Sequence, residues 1–324
     1  MREIHGRVVA AEKRIRPFVR FTPLEPSVNL SRENDGAVFL KLENIQHTGS
    51  FKVRGAFNRL LHLAGDQRRV GIVTASSGNH GLAVAYGMQR LGAAGTIYLP
   101  ADVSALKADT LRQLGATIRI HEGDCVQTEV HARHEAERTG RLYISPYNDP
   151  FVLAGQGTIG LEILDRLPKV DCIMASVGGG GLIAGIAGAV KHRRPAVRVV
   201  GCLPANSPAM AAAVHAGRIV DVESRNTLSD GTAGGIEAGA ITLDPCREFV
   251  DDWILLSEAE IKDALVRVFD HHRLVIEGAA AVTVAGFLKM ARQLSGQTVA
   301  LVVCGGNIDA RVVKRLVCPE NADA

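Results

Sequence analysis

A single lysine, Lys52, is approached by a tight, partly polar run of Thr48, Gly49, Ser50 and Phe51 within KLENIQHTGSFKVRGA (Lys41–Ala56). A surface lysine needs no such approach, whereas a lysine that must be aimed does. Three further stretches hold residue types suited to small ligands. SVGGGGLIAGIAG places Gly178, Gly179, Gly180 and Gly181 between an apolar run ending at Val177 and a helix expected to start near Leu182. Consecutive glycines expose backbone N–H groups and remove side chains that would hold a ligand away. At a helix N-terminus those amides and the helix dipole form an anion cup. The spacing fits neither G-x-G-x-x-G nor a G-K-[ST] loop, so it suits a phosphate monoester better than a dinucleotide or a nucleoside triphosphate. A close-packed turn is the plain alternative, at a backbone-entropy cost that such a turn does not require. TASSGNHG (Thr74–Gly81) crowds Ser76, Ser77, Asn79 and His80 at a strand-to-helix junction, where hydroxyls and free amides suit a carboxylate. Taken alone, Ser77 and Asn79 read first as helix N-caps, and His80 as a satisfied helix-start histidine rather than a catalyst. In LVVCGGNID, Cys304 ends an apolar strand and alone reads as a small buried hydrophobe, while Gly305 and Gly306 allow close approach to the backbone.

The elements that must position these residues follow from hydrophobic patterning. Short apolar runs (Val70–Ser76, Gly95–Pro100, Ala116–Ile120, Asp171–Val177, Val197–Leu203, Thr298–Cys304) alternate with helix-length amphipathic segments, such as those predicted over Gly81–Leu91 and Ser104–Leu114. β-Branched strands alternating with helices predict an α/β fold of mostly parallel sheets with helices on both faces. Ligands in such sheets sit beyond the carboxyl ends of the strands, which is where the three junctions fall. No repeat or low-complexity linker marks a domain boundary.

Composition narrows the function classes. The chain has 324 residues, 47% hydrophobic and 22% charged, so length alone suggests about two domains. A net charge of +3 and a single Trp give no footprint for nucleic acid. The basic runs Lys191–Arg194 and His271–Arg273 suit the negative ends of helices. No apolar run is long enough to span a membrane, and the charged N-terminal stretch lacks a secretory h-region, which makes a cytoplasmic location the expectation. Six cysteines without a C-x-x-C pair suit a reducing compartment and most are expected in the core.

An aimed lysine, a phosphate cup and a carboxylate loop together point to an aldehyde cofactor with one phosphate, pyridoxal 5′-phosphate. Schiff-base formation needs a neutral amine, which burial near Phe51 would favour. On KLENIQHTGSFKVRGA, SSGNHG, AGQGTIGLEI and SVGGGGL, the whole chain resembles the threonine/serine dehydratase family of fold-type II pyridoxal-phosphate enzymes, which includes serine racemases. The resemblance implies a large cofactor-binding domain (1–70 and 149–324) and a small one (71–148), each around an open, mostly parallel sheet. It makes Lys52 the Schiff-base residue, with Phe51 against the cofactor, Asn79 on its phenolic oxygen, Gly178–Gly181 on the phosphate, Cys304 at the pyridine nitrogen and Glu277 close to the ring. Ser76, Ser77, Asn79 and His80 would bind the substrate carboxylate region. The implied activity is dehydration and deamination of L-threonine or L-serine to a 2-oxo acid and ammonia, with Lys52 taking the Cα proton and the cofactor phosphate protonating the leaving hydroxyl. Racemisation, with Ser77 as opposite-face acid/base, and dehydration of another β-hydroxy amino acid such as 3-hydroxyaspartate are the alternatives. Leu203 and Ala209 stand where metal-binding relatives carry acids, so no metal is expected there. The chain stops soon after CGGNID, so control by isoleucine through a regulatory domain is not expected. A homodimer is the default assembly.

Overall fold

The computed structural model describes residues 2–317. Ten strands are β1 (Leu24–Pro26), β2 (Ala37–Leu42), β3 (Ile72–Ala75), β4 (Gly95–Pro100), β5 (Thr117–His121), β6 (Leu142–Tyr143), β7 (Cys172–Ser176), β8 (Arg198–Pro204), β9 (Asp252–Leu256) and β10 (Thr298–Val303). They form two sheets, one ordered β1-β2-β10-β7-β8-β9 and the other β5-β4-β3-β6. Every pairing is parallel except β1 with β2, so helices must cross over both faces. The central strands show the consequence: every residue of β7 is buried, as are Val299 through Val303 of β10.

The helix Pro150–Arg166 starts where the sequence supplies both a cap and a proline at the first turn. Asp149 Oδ1 accepts from the amides of Phe151 (2.7 Å) and Val152 (3.1 Å). It is buried from Val152 to Leu164 and packs on the helices Lys52–Leu61 and Gly181–Arg193. One apolar core lies between the six-stranded sheet and the helices Gly181–Arg193 and Gly278–Met290. Another joins the four-stranded sheet to the helices Lys52–Leu61 and Asn79–Leu91.

Between these cores lies a buried ionic cluster. Arg54, fully buried, donates Nε to Glu43 (2.8 Å) and Nη1 to Glu162 (2.7 Å). Glu162 also receives Lys41 Nζ (2.5 Å) and Arg16 Nη2 (2.6 Å). The helix that begins at Lys52 is thereby tied through Arg54 to Glu43 and Glu162, and through Glu162 to strand β2 and Arg16. Burial works to raise the carboxyl, yet the charges of Arg54 and Lys41 hold Glu162 down at about 2.

Boundaries differ slightly from the sequence expectation. Val70 closes a short helix, Gly65–Val70, and the strand starts at Ile72; the helix predicted from Gly81 begins at Asn79. Cys172, Cys202, Cys246 and Cys304 are buried and Cys125 is exposed, while Cys318 lies outside the described residues. The two basic runs close the helices Gly181–Arg193 and Glu258–His272. Among the described residues no helix is long and apolar enough to cross a membrane.

Candidate active site

The approach to Lys52 is fixed by main chain. Phe51 N donates to Cys304 O (3.0 Å), Gly306 N donates to Gly49 O (2.9 Å), and Ser50 bridges Gly305 in antiparallel fashion. The turn leading in is strained: Thr48 sits at φ +66°, and Asn307 Nδ2 donates to its carbonyl at 2.8 Å. Strand β10 therefore ends against the loop that starts the Lys52 helix. Phe51 is buried, with its ring centroid 5.2 Å from Lys52 Nζ. The amine donates to Pro146 O at 2.9 Å. Burial lowers its pKa to about 8, against the opposing pull of Cys304, Glu277 and Glu129.

The Thr74–Gly81 junction does not use its side chains as caps. The N-cap of Asn79–Leu91 is Gly78, with no side-chain capping bond, which leaves Ser77 and Asn79 for other partners. Ser76 Oγ accepts from Gly78 N at 3.2 Å. Asn79 Nδ2 donates to both oxygens of Glu277 at 2.9 Å, and its Oδ1 accepts from Asn307 Nδ2 at 2.7 Å. His80 is buried and donates Nε2–H to Ile144 O at 3.0 Å. Burial, with Lys52 beside it, pushes this imidazole down to about 3, so the ring is neutral at working pH. Its Nδ1 is buried without a partner.

Glu277 and Cys304 complete this side. Burial raises the Glu277 carboxyl to about 7, with Asp230 adding to the rise and the Asn79 bond opposing it. Cys304 Sγ lies 3.8 Å from Glu277 Oε1 and 3.4 Å from Ser176 Oγ. Burial first, then Glu277, drives the thiol pKa upward, so Cys304 stays a neutral thiol. Among the described residues no group of three or more His, Cys, Asp or Glu could hold a metal ion.

The glycine run links β7 to the helix Gly181–Arg193. Gly180 takes φ +86° as the helix N-cap, a conformation that side chains resist. A Cβ on Gly179 would lie 2.5 Å from the Tyr147 ring. Thr242 Oγ1 donates to Gly179 O at 2.7 Å, turning the loop's carbonyl outward to a partner. The site suits the cofactor inferred from sequence on three observations of this structure. It has a partly buried amine of lowered basicity, four successive glycines at a helix N-terminus, and two buried atoms near that amine, His80 Nδ1 and Ser50 Oγ, with no protein partner.

Sequence reading missed one wall. Strand β6 exits into Ile144–Tyr147, and each residue there serves the site. Ile144 O accepts from His80 and from Thr74 Oγ1 (2.9 Å), Ser145 Oγ donates to Glu237 Oε1 (3.4 Å), and Pro146 O receives Lys52. Tyr147 lies against the glycine run while its Oη accepts from Glu237 N (2.9 Å). Three of these contacts use backbone carbonyls, for which residue identity gives no signal.

A family model described as "Pyridoxal-phosphate dependent enzyme" matches residues 15–305. An L-threonine ammonia-lyase of Thermotoga maritima is 40% identical over 308 residues, covering 95% of this chain and 76% of that one. The processed form of threonine deaminase isoform 2 from Solanum lycopersicum superposes with a TM-score of 0.93 at 30% identity, over 97% of this chain and 92% of that one. Maize serine racemase superposes with a TM-score of 0.90, also at 30% identity, over 98% and 97%.

Proposed function

Because this chain belongs to the pyridoxal-phosphate dependent enzymes, we propose that it is an L-threonine ammonia-lyase that also accepts L-serine, releasing a 2-oxo acid and ammonia. The observation that carries this reading is the partly buried Lys52 amine, held by Pro146 O at 2.9 Å and lowered to about 8, together with the glycine run and the Ser/Asn loop. The likeness to threonine ammonia-lyase and threonine deaminase supports the choice of substrate.

Lys52 would hold the cofactor's aldehyde carbon covalently, with Phe51 and Glu277 beside the ring and Asn79 at its phenolic oxygen. Cys304 would meet the ring nitrogen, and the amides of Gly178–Gly181 at a helix start would hold the phosphate. When bound, pyridoxal phosphate supplies an electron sink for the charge left at the substrate Cα. Ser76, Ser77, Asn79 and His80 orient the substrate carboxylate. Released from the cofactor, Lys52 is basic enough near pH 8 to take the Cα proton onto Nζ. Pro146 O, already a partner of that nitrogen, keeps it aimed. A neutral Cys304 thiol gives the ring nitrogen no negative charge to stabilise a proton there, which favours prompt loss of the β-hydroxyl as water over prolonged charge at Cα. We further assign the two sheets to two domains (71–148, and 1–70 with 149–324), place the enzyme in the cytoplasm and expect a homodimer.

A panel of β-hydroxy amino acids assayed for 2-oxo acid tests the reading; no turnover of threonine or serine overturns it. The likeness to maize serine racemase supports a second reading, racemisation with Ser77 as the opposite-face acid/base. Chiral analysis of serine after incubation separates them: D-serine exceeding pyruvate selects the racemase, and its loss in Ser77→Ala assigns the residue.

A further inference from the structure

Three walls of the site have occupants under the proposed function: Lys52 and Pro146 at the amine, the Ser76–His80 loop at the carboxylate, and Gly178–Gly181 at the phosphate. Ser145, between β6 and Pro146 and hydrogen-bonded to Glu237, borders these walls and has no occupant among them. The charge beside it is unusual. Glu237 Oε2 accepts from Arg133 Nη2 at 2.6 Å, and Arg133 Nη2 also donates to Glu129 at 2.9 Å. Two carboxylates thus share one guanidinium, leaving a net charge of −1. Arg133 is held further by the face of Tyr143, 4.2 Å from its Cζ to the ring centroid. The cluster is within reach of the chemistry. Ser145 donates to Glu237, Pro146 next along the chain accepts from Lys52, and Glu129 is among the charges that act on the Lys52 amine.

We propose that Glu237, with Glu129 and Arg133, determines side-chain specificity: the site admits neutral or cationic β-hydroxy amino acids and rejects those with a side-chain carboxylate. The reason is electrostatic. A second substrate carboxylate would meet two acids whose cation is already engaged, whereas an ammonium or a small neutral group would meet complementary or indifferent charge. Of the substrates open from sequence, 3-hydroxyaspartate is therefore excluded, and 2,4-diamino-3-hydroxybutyrate is an expected substrate beside threonine. This inference rests on the lyase reading for its substrates and on the cluster alone for its charge preference.

The test uses holoenzyme and reads both turnover and binding. Values of kcat/KM for threonine, 3-hydroxyaspartate and 2,4-diamino-3-hydroxybutyrate are compared in wild type and Glu237→Gln. In parallel, binding of the non-eliminating analogues L-2,4-diaminobutyrate and L-aspartate is read from the cofactor absorbance band. Wild type should prefer the cationic member of each pair by roughly tenfold or more. Glu237→Gln, which removes one acid and loosens Arg133 toward a carboxylate, should shrink each preference by about tenfold. Equal binding of aspartate and diaminobutyrate by wild type, or ratios unmoved in Glu237→Gln, would overturn the proposal. If no β-hydroxy amino acid turns over while the analogue preference and its response to Glu237→Gln persist, the lyase reading fails and the charge assignment stands.

Discussion

Replacement of Glu162 by glutamine probes the buried cluster that seats the Lys52 helix. Glu162 accepts from Arg54 (2.7 Å), Lys41 (2.5 Å) and Arg16 (2.6 Å), and its side chain is 1% exposed. Glu162→Gln leaves Arg54 with Glu43 as its carboxylate partner and Lys41 with Thr22 O at 2.7 Å, so two buried cations share one carboxylate. Breaking one partner of a buried pair costs about 3–5 kcal/mol. Proton linkage gives a consistent figure. The carboxyl is held at about 2 against an ordinary 4.5, which at about 1.4 kcal/mol for each pH unit of that gap is about 3 kcal/mol. The sign follows from a folded pKa below the unfolded one: this stability is fully present above about pH 4.5 and drains as pH falls toward 2. About 1 kcal/mol of it should be gone by pH 3.5. The raised pKa of Arg54 lies above any pH at which folding is followed, so the dependence is read on the carboxylate. In urea, with a slope of about 3 kcal/mol per molar, Glu162→Gln should unfold about 1 M earlier than wild type at pH 7.5. That gap should narrow by about 1 kcal/mol at pH 3.5. A midpoint within about 0.3 M of wild type at pH 7.5, or a gap that does not close on acidification, refutes the reasoning.

Lys52→Ala should abolish borohydride-stable attachment of the cofactor and lower kcat by about a thousandfold or more, measured by peptide mapping and 2-oxo acid release. Because Lys52 lies at about 8, the rate at which apoenzyme captures the cofactor aldehyde should rise about tenfold per pH unit below that value and level off above it, followed by absorbance after mixing. Gly179→Ala places a methyl 2.5 Å from the Tyr147 ring, so cofactor affinity measured by titration should fall by about tenfold or more, with Tyr147→Ala in the same chain recovering part of the loss. Cys304→Asp puts an acid beside Glu277, and the pH at which holoenzyme loses its cofactor band should change in that variant while Cys304→Ala leaves it near wild type.

Much of the fold was legible because its strands are buried on both faces and so read as continuous apolar runs, as in Thr298–Val303 and Cys172–Ser176. The Lys52 approach and the glycine run were legible for a related reason: both break local propensity in ways a plain loop has no need to. The Ile144–Tyr147 wall escaped because Ile144 and Pro146 act through carbonyls that any residue carries. Glu237 escaped because its partners, Arg133 and Tyr147, lie 104 and 90 residues earlier in the chain. Nothing local in the sequence marks Lys41, Glu43 and Arg54 as buried, since their burial comes from tertiary closure with Glu162.

The two sides of the site are stitched by bonds that ignore side-chain identity: Phe51 N to Cys304 O, Gly306 N to Gly49 O and the Ser50–Gly305 bridge. Mutational drift can therefore exchange the group at position 304 without displacing the nucleophile that stands opposite. Where the reaction happens is inherited through the peptide skeleton, and what reaction happens is left to a few replaceable atoms.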